Sequence, residues 1–425
     1  VSKWKSTFVC SWLAQICSII GFAFVVPFLP FYVRELGITD ERSVLLWAGW
    51  GLSTSAGLTM AIFAPMWGTL ADRYGRKLMV LRSMLGGSLV LALMGLVSNI
   101  YQLLALRILQ GMLTGTVSAS VALVSSVVPT RHCGYALGLM QTALYVGNSL
   151  GPYMGGLAAH SLGYRVPFFI AACFLLVGGL LTLVGVKEEF EPPDEEAQHG
   201  EVSTLRQVLA LTGFTALIGL LFMVHFSGSF VNPILPLYIE RLSGLPRGEA
   251  AEITGRIFGL AGLAAAVAAA TLGRLGDRLG HLRILTVCTL VAGLSLIPIA
   301  FVHTTNQLLF WRLVASFSGA AIIPSANALI RRMIPRHACG KAFGIVQSIT
   351  CLGWGLGPAM GSSLAAKFGL QAPFVVVGIM FVLASGVALL LTRRLPSVVI
   401  APSPLAVGEP ARECPVTRLA GPPPQ

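Results

Sequence analysis

Apolar residues in this chain fall in long runs, and short polar stretches separate them. Twelve runs can be marked, at about residues 8–33, 44–71, 78–98, 101–128, 135–159, 166–186, 211–239, 250–274, 282–302, 307–331, 341–365 and 371–392. Each is close to the ~20 residues that carry a helix across a hydrocarbon core of roughly 30 Å. No water reaches the bilayer core, so each run must satisfy its own backbone groups as a helix. A β-barrel is excluded, because its strands would be about ten residues long and alternate in polarity. The pattern predicts an all-α polytopic membrane protein with twelve transmembrane helices. The first run follows Lys3 and Lys5 as a signal peptide would. It is too long for a signal's apolar segment of about 7–15 residues and is expected to be a retained span.

Composition agrees. Only 11% of residues are charged, against roughly 25% in soluble domains. The net charge of +12 does not point to nucleic acid, since no soluble domain is left to carry it. Basic residues collect in alternate connections, such as Arg73, Arg76, Lys77, Arg131, Arg274, Arg278, Arg331 and Arg332. That bias places those connections and both termini in the cytoplasm. The eight cysteines are scattered and form no C-x-x-C pair, so no disulfide framework and no metal site is expected. Residues 187–210 are acidic and contain Pro192 and Pro193; they read as a cytoplasmic linker. Residues 393–425 are rich in proline and read as a disordered cytoplasmic tail.

The chain repeats itself. Gly68-Thr69-Leu70-Ala71-Asp72-Arg73-Tyr74-Gly75-Arg76-Lys77 returns 205 residues later as Gly273-Arg274-Leu275-Gly276-Asp277-Arg278-Leu279-Gly280-His281-Leu282. Pro27–Tyr32 returns at Pro233–Tyr238, Arg107 at Arg312, Gly151–Gly155 at Gly357–Gly361, and Pro167-Phe168 at Pro373-Phe374. Landmarks in constant order and spacing predict two pseudo-symmetric six-helix bundles, residues 1–186 and 211–392. The ten-residue loop resembles the loop 2–3 signature of the major facilitator superfamily. The resemblance runs from about Trp4 to Arg394.

That resemblance implies a role for the loop. Asp72 would face the start of helix 11, around Cys339 to Ala342, and Asp277 the start of helix 5, near Gly134. Gly68 and Gly273 would let helices approach closely. With Arg73, Gly75, Arg76, Lys77 and Arg278 they would form a conformational latch that holds the cytoplasmic side shut. The second copy has His281 and Leu282 in place of the basic pair, so its latch should be weaker.

Gly147-Asn148-Ser149-Leu150-Gly151-Pro152-Tyr153-Met154-Gly155-Gly156 lies in the fifth run. Its glycines at every fourth position would line one helix face, which ordinary small-residue packing also explains. The run resembles the helix 5 signature of drug:proton antiporters, and that resemblance implies export. Arg107-Ile108-Leu109-Gln110-Gly111 resembles the superfamily's helix 4 motif, linked to proton coupling. Arg312 lacks the following Gln-Gly. Glu35 and Glu240 stand only at the outer ends of helices 1 and 7. His225, within helix 7, can titrate near neutrality or be a packed, hydrogen-bonded histidine. These five are the coupling candidates. The energy source would be the proton gradient, with no cofactor.

In this fold the cargo sits between the halves, near the midplane. Cavity candidates are Gln15, Phe22, Phe28 and Tyr32 on helix 1, and Gln110 and Ser118 on helix 4. Gln141 and Tyr145 are on helix 5, Phe230 and Asn232 on helix 7, Phe317 and Asn327 on helix 10, and Gln347 on helix 11. Aromatics with a few polar groups and two arginines suit amphipathic, neutral or anionic molecules. The expectation is a monomeric secondary exporter of small organic molecules in a bacterial inner membrane. An uptake facilitator or symporter and a non-transporting sensor are the alternatives. No G-x-S-x-G elbow, phosphate loop or H-E-x-x-H motif suggests an enzyme.

Overall fold

The computed structural model describes residues 3–188, 214–333 and 339–394. Most of the expected linker, and the tail beyond Arg394, lie outside these, as do the side chains of Asp72, Gln347 and residues 339–342. Numbered by span, the first half comprises α1 (Lys3–Phe24, resuming as Leu29–Glu35) and α2 (Glu41–Leu46, a π-helical stretch Trp47–Thr54, then Ser55–Tyr74). It continues with α3 (Arg76–Met94), α4 (Ile100–Leu113 and Thr116–Val127), α5 (Thr130–Leu162) and α6 (Val166–Gly185). The second half comprises α7 (Phe214–Phe230 and Leu235–Ser243), α8 (Arg247–Leu279) and α9 (His281–Leu296, ending in the 3-10 turn Ile297–Phe301). Then follow α10 (Thr305–Gly319 and Ile322–Met333), α11 (Cys339–Phe368) and α12 (Ala372–Arg394).

Among the described residues, eight segments are long and apolar enough to cross a membrane, or nine with the two parts of α7, bent by 41°, taken as one. The other three, α2, α5 and α11, have the length. The 33 residues of α5 span about 50 Å. They are less apolar because they carry the glycines, serines and prolines at which the halves cross. Several helices outrun their apolar runs, since a helical backbone needs no apolar setting once it leaves the bilayer.

Breaks interrupt some spans. Pro27 and Pro30 in α1, and Pro233 and Pro236 in α7, remove N–H donors and crowd the preceding turn, so both helices stop and restart. The second part of each span is pinned in the same way. Tyr32 donates its hydroxyl to the Met94 carbonyl at 2.9 Å, and Tyr238 donates to the Ile299 carbonyl at 2.8 Å. Their rings lie 4.9 Å from Phe168 and 5.1 Å from Phe374. Gly75 and Gly280 both turn the chain at φ 95°, a conformation that costs a glycine little.

The halves cross where α2 meets α11 and α5 meets α8. A Cβ on Gly49 would stand 2.6 Å from the Pro358 carbonyl oxygen, and one on Gly255 would stand 3.1 Å from the Gly156 Cα. About two helical turns deeper, Gly57 abuts Gly355 and Gly262 abuts Ser149. The matched glycines are 206 residues apart at Gly49 and Gly255 but 205 apart at Gly57 and Gly262. So α2 holds one more residue than α8 over this stretch. The π-helical stretch Trp47–Thr54 absorbs it, because a π turn closes each ring over one extra residue.

Beyond these crossings the two halves part. Ala64, Pro65, Met66 and Thr69 on α2, Gln141 and Thr142 on α5, and Leu263, Val267 and Thr271 on α8 are exposed. Gly68, Gly138 and Gly273 have open space where a Cβ would be. The bundle is thus sealed at the end that carries Glu35 and Glu240 and splayed at the end that carries the N-terminus.

Candidate functional site

The glycine face of α5 packs onto α1 of its own half. A Cβ on Gly147 would stand 2.5 Å from the Ile19 Cβ, and one on Gly151 would stand 2.8 Å from the Ile20 carbonyl oxygen. Gly155 abuts the Phe24 carbonyl, where α1 breaks. Gly156 points the other way, to Ala251 and Gly255 of α8, and the Pro152 carbonyl also faces Gly255. The run therefore ties the inner packing of one half to its contact with the other. Gly353, Gly357 and Gly361 of α11 repeat this arrangement against Phe222, Phe226 and Phe230 of α7.

Arg107 and Arg312 occupy matched places on α4 and α10, and both are half-buried. Arg107 donates from Nη1 to Gln110 Oε1 at 3.1 Å. The Arg312 guanidinium lies 5.8 Å from the centre of the Phe258 ring. Neither has an acidic partner among the described residues, and the Nε of each is buried without a hydrogen bond. A guanidinium keeps its charge in a protein, so α4 and α10 each bring a positive group without an acidic neighbour into the bundle. Two turns past Arg107, Gly115 breaks α4 at φ 126°. Trp67 Nε1 donates to the freed Met112 carbonyl at 2.6 Å, and Arg82 lies 3.4 Å from the centre of the Trp67 ring.

The cavity candidates divide. Gln15 is 1% exposed and neither amide atom has a partner. Asn327 likewise buries a partnerless Oδ1. Gln110 is bonded to Arg107. Tyr145 and Asn232 are half-buried, and Gln141, Ser118 and Phe317 are exposed. Phe28 and Tyr32 are corrected. Both are fully enclosed within their own half, Phe28 edge-on to Phe168 at 5.6 Å. The break at Pro27 turns that end of α1 into the bundle's interior. Phe22 packs on Gly87 of α3, and Phe230 is buried against Phe226 and Gly361. His225 uses Nδ1 on the Leu221 carbonyl at 2.9 Å and packs on Gly353.

In the loop after α2, the backbone of Arg76 and Lys77 is held within its own half. Glu188 accepts the Arg76 and Lys77 backbone N–H groups at 3.0 and 2.7 Å and so caps α3. Lys77 Nζ donates to the Leu183 and Val186 carbonyls at 2.9 and 2.6 Å, closing the end of α6. In the second copy Asp277 sits 3.2 Å from His281 of its own half. Arg73 and Arg278 are exposed. The close approach expected at Gly68 and Gly273 is absent, because the halves are apart at this end.

Glu35 and Glu240 are both paired with arginines. Glu35 Oε1 lies 3.2 Å from Arg165 Nε, and Glu240 takes Arg34 Nη1 on both oxygens at 2.7 and 2.6 Å. Tyr164 lies among these charges, and burial pushes its phenol up to about 12. The apolar pattern alone gave no sign of Arg34, Arg165, Arg241 or Arg247 as partners.

Known proteins agree with this architecture. The sequence profile described as Major Facilitator Superfamily matches residues 11–251 and 217–413. The chain is 38% identical over 381 residues to "Multidrug resistance protein MdtG" of Serratia proteamaculans, covering 89% of this chain and 91% of that one. It is 38% identical over 378 residues to the protein of the same name from Escherichia fergusonii, covering 88% and 91%. Among solved structures, a bacterial homolog to the human lysosomal transporter Spinster, inward-facing and occupied, matches with a TM-score of 0.75 at 16% identity, over 95% of this chain and 100% of that one. The human organic anion transporter MFSD10 matches with a TM-score of 0.67 at 18% identity, over 91% and 99%. The chain belongs to the Major Facilitator Superfamily.

Proposed function

We propose that the protein is a secondary transporter that exports small organic molecules by alternating access, at the expense of a proton gradient. Relatives named as multidrug resistance proteins along nearly their whole length support efflux, and a transporter rather than an enzyme. The observation that carries the mechanism is the shape: two duplicated halves sealed at one end and splayed at the other. Charge bias makes the splayed end cytoplasmic, so the described state receives cargo from the cell. Rocking of residues 1–186 against 211–392 would open the sealed end instead. Arg107 and Arg312, without acidic partners among the described residues, favour neutral or anionic amphipathic cargo over lipophilic cations. The membrane would be the bacterial inner membrane, the working unit a monomer.

Inverted membrane vesicles with an imposed pH gradient test this. Accumulation of neutral or anionic compounds that collapses with the gradient is the expected result. Uptake confined to lipophilic cations would overturn the cargo class. Flux indifferent to the gradient would overturn the coupling.

A further inference from the structure

The sealed end shows a regularity that only the duplication reveals. Residues 27–36 read Pro-Phe-Leu-Pro-Phe-Tyr-Val-Arg-Glu-Leu, and residues 233–242 read Pro-Ile-Leu-Pro-Leu-Tyr-Ile-Glu-Arg-Leu. The framework is kept and the charges are inverted. Arg34 corresponds to Glu240 and Glu35 to Arg241, and further on Glu41 corresponds to Arg247. All three pairs are 206 residues apart and opposite in sign.

A pseudo-twofold relation brings equivalent positions together near its axis. Arg34 meets its own counterpart there, with Nη1 at 2.7 and 2.6 Å from the two Glu240 oxygens. Like charges at that spot would repel; inversion turns a self-contact into a complementary one. Arg241 reaches across to Glu41 at 3.9 Å, and Arg247 stands 3.6 Å from Glu240. Arg241, Glu41 and Arg247 are exposed, and exposed partners contribute little. The Arg34 and Glu240 side chains are only 12% and 22% exposed, so water screens this contact least.

We infer that Arg34 and Glu240 are the gating pair of the transporter, joined when this end is sealed and parted when it opens. The charge-assisted contact holds the seal. Opening hydrates both groups, so the parted pair is also stable, and the cycle can pass both ways. Neutralising Glu240 leaves Arg34 charged without an acid within the seal, and neutralising Arg34 leaves Glu240 only the longer contact to the exposed Arg247; either harms the closed state more than losing both.

The test uses the full-length chain in membranes, with a protease site inserted between residues 189 and 210. A Cβ on Gly248 would stand 3.6 Å from the His160 Cα, within reach of a disulfide across the seal. In a His160→Cys/Gly248→Cys background, the rate at which an oxidant joins the two halves reports closure. Arg34→Gln and Glu240→Gln are each expected to slow joining at least ~5-fold, with a matching loss of drug efflux, while Arg34→Gln/Glu240→Gln returns to within ~2-fold of the parent. Glu240→Asp, which keeps the charge, should join at the parental rate. Single variants that join as fast as the parent would overturn the assignment. So would a double variant whose loss is the product of the two single losses.

Discussion

Gly57 lies against Gly355 where α2 crosses α11, so closely that a Cβ on Gly57 would stand 2.5 Å from the Gly355 Cα. The atom opposite is backbone and cannot swing aside. Gly57→Val should therefore disfavour the sealed state by about 1–3 kcal/mol, the usual cost of overpacking. Efflux in cells should fall while the purified protein still elutes as the parent does.

Tyr32 tests the correction to the cavity. Its hydroxyl serves the Met94 carbonyl rather than cargo. Tyr32→Phe should cost about 1 kcal/mol of stability and lower the melting temperature by about 2–4 °C. Substrate affinity, read by fluorescence titration of the purified protein, should stay as it was. Tyr238→Phe should behave alike, since Tyr238 makes the same bond to Ile299.

Arg107 tests the cargo class. Arg107→Ala removes one of the two matched guanidinium groups of α4 and α10, neither of which has an acidic partner among the described residues. Affinity for carboxylate-bearing compounds should fall ~10-fold or more, as expected for a hydrogen bond to a charged group. Neutral compounds of similar size should bind with little change in the same titration.

Lys77 tests the loop. Its ammonium closes the last carbonyls of α6, where a cation contributes roughly 0.3–1 kcal/mol. Lys77→Met should lower the thermal stability of the first half, measured on the purified protein by differential scanning. Leu282→Met, at the matched place in the second half, removes no such contact and should leave stability within about 0.5 kcal/mol.

Much of the fold was legible because the bilayer is a demanding solvent. The spans follow from runs of apolar residues and the duplication from constant spacing, while the signature loop was read from its resemblance to a family motif. Rotation of each helix about its own axis was not legible. Phe28 and Tyr32 read as cavity aromatics, yet the proline break turns them inward, and near-continuous apolarity carries no phase to warn of it. Which arginines Glu35 and Glu240 pair with was not legible, because Arg165 and Arg34 are 130 and 206 residues away. The inverted charges were present in the sequence. They emerge only when the repeat is followed two residues past Tyr32 and Tyr238.

That inversion also decides which bundle joins which. Two copies of the first half, docked by the same twofold rule, would set Arg34 against Arg34; two copies of the second would set Glu240 against Glu240. Each would face its twin with a buried like charge, a cost of several kcal/mol. While both bundles are still finding partners in a crowded membrane, the matching of signs rewards only the pairing of a first half with a second. The same residues that would open and close the molecule thus tell the first bundle from the second as the chain assembles.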